Sequence, residues 1–251
     1  MSTVLVTGGS GTFGSKLVPL LAGRGHEVRV LSRRAGRGTH VGDLSTGAGL
    51  AEAAAGADLV VHAATDSSVR MGRTDSQQTT RLLRQLEQAG GCRHLLYLSI
   101  VGVDAIPIGY YRRKLACEQL VTASAVPSTI LRATQFHELL QMALRAASRL
   151  PVAPLPTGLL FQGVAAGEVA ARAAELIEGE PLGRAADFGG PQVLSSRQII
   201  SIWRDRFGRP RAVAGLRRLP GSAYRAFAQG RNTAPGQTDG VCTWAEFVAG
   251  I

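Results

Sequence analysis

Lysine is nearly absent from this chain of 251 residues. Only Lys16 and Lys114 occur among its 28 basic residues, and the other 26 are arginines. Such a chain uses arginine wherever a solvated cation is sufficient. The two lysines that remain are therefore candidates for specific roles.

Cysteines and long apolar runs are also scarce. Cys92, Cys117 and Cys242 are odd in number and widely separated, so they offer neither a disulfide framework nor metal-ligand spacing. We expect three buried thiols and no metal site. No apolar run is long enough to span a bilayer, and no charged start leads into an apolar leader with a cleavage site. We therefore expect a cytoplasmic protein that does not contact membranes.

The formal net charge is +10, but the basic residues are not gathered into one stripe. They are scattered over predicted helices and loops, without interleaved aromatic residues, which argues against a nucleic-acid partner. The hydrophobic content of 45% can bury one large core. We predict a single domain over residues 1–251, present as a monomer or a homodimer.

Short apolar or β-branched runs alternate with helical periodicity through the first half of the chain, which predicts a parallel sheet with crossover helices on both faces. The predicted strands are residues 2–7, 27–32, 39–41, 58–63, 94–99 and 128–132. The predicted helices in this half are residues 13–23, 47–55, 72–89 and 110–124. We predict an α/β fold with a doubly wound Rossmann sheet.

Beyond residue 133 the pattern loosens. Residues 151–156 are proline-rich and are predicted to form a loop. Further helices are predicted at residues 135–149, 167–178, 195–207, 219–229 and 243–249. We expect residues 133–251 to form a small, mostly helical substrate-binding region that folds over the carboxyl ends of the strands.

A glycine-rich loop follows the first predicted strand. Its residues are Thr7, Gly8, Gly9, Ser10, Gly11, Thr12, Phe13 and Gly14. Glycines three apart let the chain turn sharply and release into a helix, whose free N–H groups and positive dipole end face an anion. We interpret this loop as the cradle for the pyrophosphate of a dinucleotide. The alternative is a glycine-rich hairpin.

The second predicted strand ends at Ser32, Arg33 and Arg34. An NAD-selective protein places a carboxylate near this point for the ribose 2′-hydroxyl. A guanidinium instead offers a bidentate fork to a 2′-phosphate and a plane for adenine. Arg33, assisted by Ser32 or Arg34, therefore predicts NADP(H). The alternative is two solvated loop arginines.

Two later strand ends also face the predicted cofactor. Asp43 can hydrogen-bond the adenine amino group while Leu44 packs on the ring, although Asp43 can equally be a local turn residue. His62 lies in an apolar run and is interpreted as a core histidine without a functional role. The small residues that follow it let a nucleotide approach the backbone. The predicted contacts there are Ala63, Ala64 and Thr65.

Ser99 ends the fifth predicted strand, and Tyr110 and Lys114 lie four residues apart on the next helix, so both project from one face. Carbonyl reduction requires such a set, because a phenol protonates the oxygen and a serine hydroxyl hydrogen-bonds it. We expect Lys114 to lower the pKa of Tyr110 from about 10 and to hold the nicotinamide ribose. Tyr111 shares part of that face and is the alternative acid. The other interpretation is a packed amphipathic helix with a solvated lysine.

Four segments together resemble an atypical short-chain dehydrogenase/reductase of the NmrA-like, NAD(P)H-binding group. They are residues 7–14, 98–104, 110–116 and 130–137. The resemblance implies a Rossmann domain that binds NADP, with Ser99, Tyr110 and Lys114 at its reacting end. Related proteins line the substrate pocket with the segment after the sixth strand. Here that segment is Thr134, Gln135, Phe136 and His137, joined by Tyr111.

The resemblance leaves two functions open. One is an NADP(H)-dependent oxidoreductase that reduces a carbonyl or quinone group on a small, fairly apolar molecule. The other is a non-catalytic, NADP(H)-sensing regulator of NmrA type. Such regulators generally lack the tyrosine, so Tyr110 favours an enzyme. Residues 64–71 show no specific pattern, and a tail of about a hundred residues leaves little room for a sugar-nucleotide site.

Overall fold

A computed structural model describes residues 1–36, 38–66, 71–216 and 220–251. These residues form two compact units. The first comprises Met1–Ser99, Gly109–Leu131 and Val169–Ala185, and the second comprises Ile100–Ile108, Arg132–Glu168 and Ala186–Ile251.

The strands are β1 (Thr3–Thr7), β2 (Glu27–Ser32), β3 (Thr39–Val41), β4 (Leu59–His62), β5 (His94–Ile100), β6 (Ser128–Ala133), β7 (Val152–Pro156), β8 (Leu160–Gln162), β9 (Gly183–Arg184), β10 (Val193–Ser195) and β11 (Ala212–Leu216). The helices are α1 (Gly14–Gly23), α2 (Leu50–Ala54), α3 (Asp75–Ala89), α4 (Gly109–Ala123), α5 (His137–Ala147), α6 (Ala166–Glu178), α7 (Ser196–Phe207), α8 (Ser222–Ala228) and α9 (Trp244–Ala249). Among these helices, none combines the length and apolar character needed to cross a membrane.

The central sheet has the strand order β3-β2-β1-β4-β5-β6-β9. The registers of β1 with β2, β1 with β4, β2 with β3, β4 with β5 and β6 with β9 are all parallel. This is the doubly wound Rossmann order, with one short strand added at the edge. The six predicted strands are confirmed, each within one residue at either end.

The middle strands read as continuous apolar runs because both of their faces are covered. Every residue of β4 is buried, as are residues 4–7 of β1. Thr7 is the Cα partner of both Leu31 and His62. The carboxyl ends of β1, β2 and β4 therefore lie side by side, and the loops that follow them start from one edge of the sheet.

His62 links three elements through its ring. Its Nδ1 hydrogen-bonds the Thr7 hydroxyl at 2.7 Å, and its Nε2 hydrogen-bonds the Thr79 hydroxyl at 3.0 Å. The ring is 1% exposed, and burial, followed by the nearby Lys114 charge, lowers its pKa to about 3. The imidazole is neutral and hydrogen-bonded on both sides. The interpretation of His62 as a core histidine agrees with these contacts.

Glycines set where two helices of the first unit begin. Gly47 and Gly49 have φ of +90° and +69°, which a right-handed helix does not allow. For this reason α2 starts at Leu50 instead of the predicted residue 47. Gly72 has φ +71°, and α3 likewise starts at Asp75 instead of residue 72. The apolar face of α3 supplies Leu82, Leu83 and Leu86 to the core of this unit.

The second unit has a core of its own, in which α5, α7 and α9 pack around Trp203 and Trp244. The indole N–H of Trp203 donates to the Ser148 hydroxyl at 3.0 Å, and that of Trp244 donates to the Ile199 carbonyl at 3.1 Å. Capping boxes begin α7 and α9. Each uses a hydroxyl at the N-cap and a longer polar side chain three residues later.

The proline-rich segment was predicted to be a loop, and this prediction is wrong. Residues 152–156 form β7, which pairs in parallel with β11. Proline cannot donate to a ladder, but each strand of a two-stranded sheet has a free edge that tolerates it. β8 and β10 form a second short antiparallel pair, so this region contains more strand than was predicted. For the predicted helix 219–229, α8 spans Ser222–Ala228, and residue 219 lies outside the described residues.

Candidate functional site

The turn between β1 and α1 is packed so closely that glycine is required at several positions. Gly8 has φ +75°, and a Cβ there would lie 2.7 Å from the backbone nitrogen of Ala64. A Cβ on Gly9 would lie 2.6 Å from Cγ1 of Val30, and one on Gly14 would overlap the carbonyl oxygen of Gly8. Gly11 is less constrained, because its Cβ would meet that oxygen at 3.3 Å. Main-chain atoms therefore line this turn, because a side chain would not fit at Gly8, Gly9 or Gly14.

The amino end of α1 is open to an anion. No side chain of the described residues caps it, and no acidic residue lies in its first turn. Ser10, Gly11 and Thr12 are exposed, whereas Phe13 is buried and anchors the turn. Free N–H groups and the positive end of a helix dipole favour a phosphate at such a position. The predicted cradle fits the pyrophosphate of a dinucleotide.

Thr7 is buried at the base of the turn. Its hydroxyl bonds His62 and accepts from the Ala64 N–H at 3.4 Å. These bonds join the carboxyl ends of β1 and β4. Thr7 therefore links the two strand ends that flank the glycine turn.

The end of β2 carries exposed arginines. Arg33 and Arg34 are both exposed, and the hydroxyl of the half-buried Ser32 accepts from the Arg34 N–H at 3.1 Å. This hydrogen bond closes a local turn in which both arginines are exposed. Their contact with a 2′-phosphate stays a prediction.

Asp43 and Leu44 have local structural roles. A carboxylate oxygen of Asp43 accepts from the Ser45 N–H at 2.8 Å, as in a turn. Leu44 is buried in the core of the first unit. Contact of either residue with adenine stays a prediction.

The end of β4 lies against the glycine turn. Ala63 and Ala64 are the residues that a Cβ on Gly8 would strike, which explains why small residues occur here. Thr65 follows, and its hydroxyl donates to a carboxylate oxygen of Asp75 at 2.5 Å. These placements agree with a backbone surface that a nucleotide can approach, and the contacts themselves stay predictions.

Ser99 lies near the end of β5 and is 3% exposed. Its Oγ is buried and has no hydrogen-bond partner among the residues that the structure describes. An unpaired buried hydroxyl costs free energy, so such groups are expected to find a partner. An oxygen atom of a bound ligand would supply one.

Lys114 is a buried cation. Its side chain is 4% exposed, and its Nζ donates to the Leu98 carbonyl at 3.2 Å and lies 4.8 Å from the centre of the Tyr97 ring. Burial lowers the pKa of Lys114, and the Asp75 carboxylate partly opposes this effect. The alternative interpretation, a solvated lysine on a packed helix, is therefore wrong.

Tyr110 does not have the lowered pKa that we expected from Lys114. Burial raises the pKa of Tyr110, a hydrogen bond with the Thr65 hydroxyl lowers it, and the nearby Asp75 carboxylate raises it. The expected direction is wrong because desolvation of the phenolate outweighs the other effects. Tyr110 is half-buried, whereas Tyr111 is 6% exposed, and their rings meet edge to face at 6.1 Å. Tyr110 is the more accessible of the two phenols.

The residues predicted to line the substrate pocket after β6 lie in the second unit. Gln135 and Asn232 form two hydrogen bonds. The Asn232 side-chain amide donates to Oε1 of Gln135 at 3.0 Å, and Nε2 of Gln135 donates to the Asn232 backbone carbonyl at 3.4 Å. Phe136 is half-buried and pairs with Val164 in an isolated bridge. His137 is buried, and its Nε2 hydrogen-bonds the Cys242 carbonyl at 2.9 Å. Their substrate contacts stay predictions.

Sequence reasoning missed two buried polar residues. Asp75 follows a threonine at the start of a predicted helix, which is a helix-start signal, and nothing in the sequence marks its side chain as buried. Asn232 is fully buried, and its Oδ1 has no partner within the described ranges. No sequence signal distinguishes Asn232.

A protein-family model described as NAD(P)H-binding matches residues 8–147. A 3-beta-hydroxysteroid dehydrogenase from Mycolicibacterium neoaurum is 39% identical over 85 residues, which are 31% of this chain and 23% of that protein.

Similar solved structures support the fold. One is an NADPH-dependent quinone oxidoreductase, QOR2, from Escherichia coli in complex with NADPH, with a TM-score of 0.81, 18% identity, and coverage of 98% of this chain and 99% of the other. Another is a nucleoside-diphosphate-sugar epimerase from Staphylococcus aureus, with a TM-score of 0.79, 15% identity and 99% coverage of both chains. The epimerase match means that chain length alone does not separate reductases from epimerases on this fold.

Gly14→Ala tests the cradle. The added methyl group would overlap the Gly8 carbonyl oxygen, so the turn must open and its N–H groups lose their alignment. We expect NADPH affinity to fall about tenfold or more, a loss of about 1.4 kcal/mol, as measured by calorimetric titration. Gly23→Ala is the matched control, because it lies in the same helix with open space around it. Equal affinity in the two folded variants would contradict the assignment.

Proposed function

Since this chain belongs to the NAD(P)H-binding family, we propose that it is an NADP(H)-dependent oxidoreductase. In this proposal it reduces a carbonyl or quinone group on a small, fairly apolar molecule. The observation that carries the proposal is the buried hydroxyl of Ser99 on the strand next to β4, which has no hydrogen-bond partner within the described ranges. A substrate oxygen would satisfy that hydroxyl, and an accessible phenol and a buried ammonium belong to the same unit.

The glycine turn and the amino end of α1 would hold the pyrophosphate of the cofactor through backbone N–H groups. When bound, the nicotinamide would supply a hydride to the substrate carbon. Lys114 would hold the nicotinamide ribose through donors that the Leu98 carbonyl leaves unused, because an ammonium has three N–H donors. Its position is fixed by the strand backbone and by the face of the Tyr97 ring.

Tyr110 would donate the proton that the reduced oxygen requires. Its raised pKa keeps the phenol protonated at neutral pH, which is the form that an acid must have. As the oxygen gains negative charge, the Ser99 hydroxyl would donate to it and stabilise it. Tyr111 is the weaker candidate for the acid because it is buried.

NADP is proposed over NAD because of the basic end of β2. Arg33 is exposed, and its guanidinium would form a bidentate contact with a 2′-phosphate. Ser32 holds the turn that presents it. A carboxylate at this position would instead favour the ribose hydroxyl of NAD.

The residues that would contact substrate differ in exposure. Gln135 and Phe136 keep part of their side chains exposed, whereas Tyr111 and His137 are buried. Gln135 and Phe136 are therefore the stronger candidates for direct contact. A half-buried phenyl ring suits an apolar substrate, and an amide offers it a hydrogen bond.

The competing function is an NADP(H)-sensing regulator without turnover. Incubation with NADPH and a panel of ketones and quinones, followed by absorbance, separates the two. Oxidation of NADPH with any of these acceptors supports the enzyme. Tight binding without oxidation across the panel supports the regulator.

Tyr110→Phe removes the proposed proton donor and keeps the ring. We expect kcat to fall about 100-fold or more, as is usual when a general acid is lost, while the Kd for NADPH changes less than about twofold. Steady-state kinetics on an acceptor identified in the panel would measure this. Tyr224→Phe in α8 is the control and keeps full turnover. If Tyr110→Phe and Tyr111→Phe are both fully active, the proton-donor role is refuted.

Arg33→Ala tests cofactor choice. We expect NADPH to bind about tenfold more weakly, because a charge-assisted fork to the 2′-phosphate is lost, while NADH affinity is unchanged. Arg93→Ala is the control, since Arg93 is exposed and bonds the Ser2 hydroxyl at the opposite edge of the sheet. Equal weakening of NADPH and NADH, or no change in either, would remove Arg33 from the phosphate site.

A further inference from the structure

Helix α5 is apolar on two faces, and only one of them packs against the core. Its inner face supplies Leu144 to the core of the second unit, and Leu140 packs against that core. A helix at the surface of a protein usually carries polar residues on its outer face. The outer face of α5 departs from this pattern.

The outer face carries a row of four apolar residues, which we call the α5 stripe. Its members Leu139, Met142, Ala143 and Ala146 are three or four residues apart and therefore lie on one side of the helix. All four are exposed, Leu139 at 48% and Met142 at 64%. Leu150, just beyond the helix, is also exposed. Single exposed apolar side chains are ordinary, but a contiguous group of them marks an interaction surface.

Side-chain size changes along the α5 stripe. The large residues Leu139 and Met142 lie toward the amino end of the helix, and the small residues Ala143 and Ala146 lie toward its carboxyl end. A second copy that runs in the opposite direction places Leu139 opposite Ala146 and Met142 opposite Ala143. Each large side chain then meets a small one. A parallel copy would instead place large residues opposite large ones and alanine opposite alanine.

Charge changes along the same helix in the same direction. Glu138, Arg145 and Arg149 are spaced by seven and four residues, so they form a second row along one edge of the α5 stripe. Both arginines are exposed. Glu138 is half-buried, and its two carboxylate oxygens accept from the Ala166 N–H at 3.3 and 3.4 Å, which leaves lone pairs on both oxygens.

The charged row distinguishes the two directions of pairing. In an antiparallel pair, Glu138 of each copy comes level with the segment that carries Arg145 and Arg149 of the other copy. In a parallel pair, residues at the same level are identical, and no glutamate meets an arginine. Opposite charges at the rim of a contact favour one register over others. Size and charge therefore favour the same arrangement.

We propose that the α5 stripe is the contact surface of an antiparallel, two-fold symmetric homodimer, with Met142 and Ala143 at its centre. A two-fold contact uses the same patch on both subunits, so the patch must be complementary to its own reversed copy. A stable dimer usually buries about 800 Å² on each partner, and smaller contacts are usually transient. A stripe on one helix of 11 residues is smaller than that. We therefore expect a reversible dimer with a Kd in the micromolar range.

Met142→Glu tests the surface. The two-fold axis brings the centre of the stripe in each copy against that of the other, so two buried carboxylates would repel and lack partners. We expect the Kd of the dimer to rise at least about tenfold. Sedimentation velocity from about 1 μM to about 500 μM brackets the expected range. Leu182→Glu is the matched control, because Leu182 is 56% exposed and lies in the other unit, and it should keep the wild-type Kd.

Charge reversal tests the direction of pairing. Glu138→Arg alone, or Arg145→Glu combined with Arg149→Glu, places like charges side by side in an antiparallel pair. Each of these proteins should dimerise at least about tenfold more weakly than the wild type. Mixed in equal amounts, they should associate with each other about as tightly as wild-type copies do, because every carboxylate again meets arginines.

A dimer that forms in the mixture but in neither variant alone supports the proposal. A wild type that stays monomeric at the highest concentration overturns it, as does a Met142→Glu variant that dimerises like Leu182→Glu. A Glu138→Arg variant that dimerises like the wild type, or a mixture that does not associate, excludes the antiparallel register.

Circular dichroism confirms that each variant is folded. If Glu138→Arg does not fold, because its hydrogen bonds with the Ala166 N–H are lost, the comparison of Met142→Glu with Leu182→Glu decides the proposal. These measurements use no cofactor or substrate, so they test the dimer separately from the proposed function.

Discussion

The rest of the candidate site depends on one close approach, that of the Gly8 backbone to the end of β4. A Cβ added at Gly8 would lie only 2.7 Å from the Ala64 nitrogen. No side chain therefore fits between the two strand ends. The turn can then lead directly into α1, whose amino end has no side-chain cap among the described residues. The same contact sets the start of the segment that carries Thr65, so the shape of the proposed phosphate cradle and the position of that segment share one steric origin.

Desolvation is the largest cause of the pKa shifts of Lys114 and Tyr110 in the first unit. Lys114 is buried against backbone and an aromatic face, and its pKa falls. The pKa of Tyr110 rises for the same physical reason. Asp75 is the buried counter-charge that favours the ammonium and disfavours the phenolate. A neutral phenol suits an acid that gives up its proton only when a stronger base forms next to it.

Much of the fold could be predicted from the sequence, because the middle strands are buried on both faces and therefore read as unbroken apolar runs. The glycine loop was also recognisable from the sequence. Positions where two backbones pack in direct contact require glycine, and the glycines can be read directly. The strand at Val152–Pro156 could not be predicted, because its partner lies some sixty residues away and its prolines suggest a loop. The raised pKa of Tyr110 and the hydrogen bond between Asp75 and Thr65 depend on burial and on contacts between separate elements, which spacing along one helix does not encode.

The most direct test of the account is a crystal structure of this chain with NADP⁺ bound. We predict that the pyrophosphate lies against the backbone N–H groups at the start of α1, the 2′-phosphate on Arg33, and the nicotinamide beside Ser99 and Tyr110. Density for the dinucleotide at any other surface, or a nicotinamide ring turned away from Ser99 and Tyr110, would contradict it.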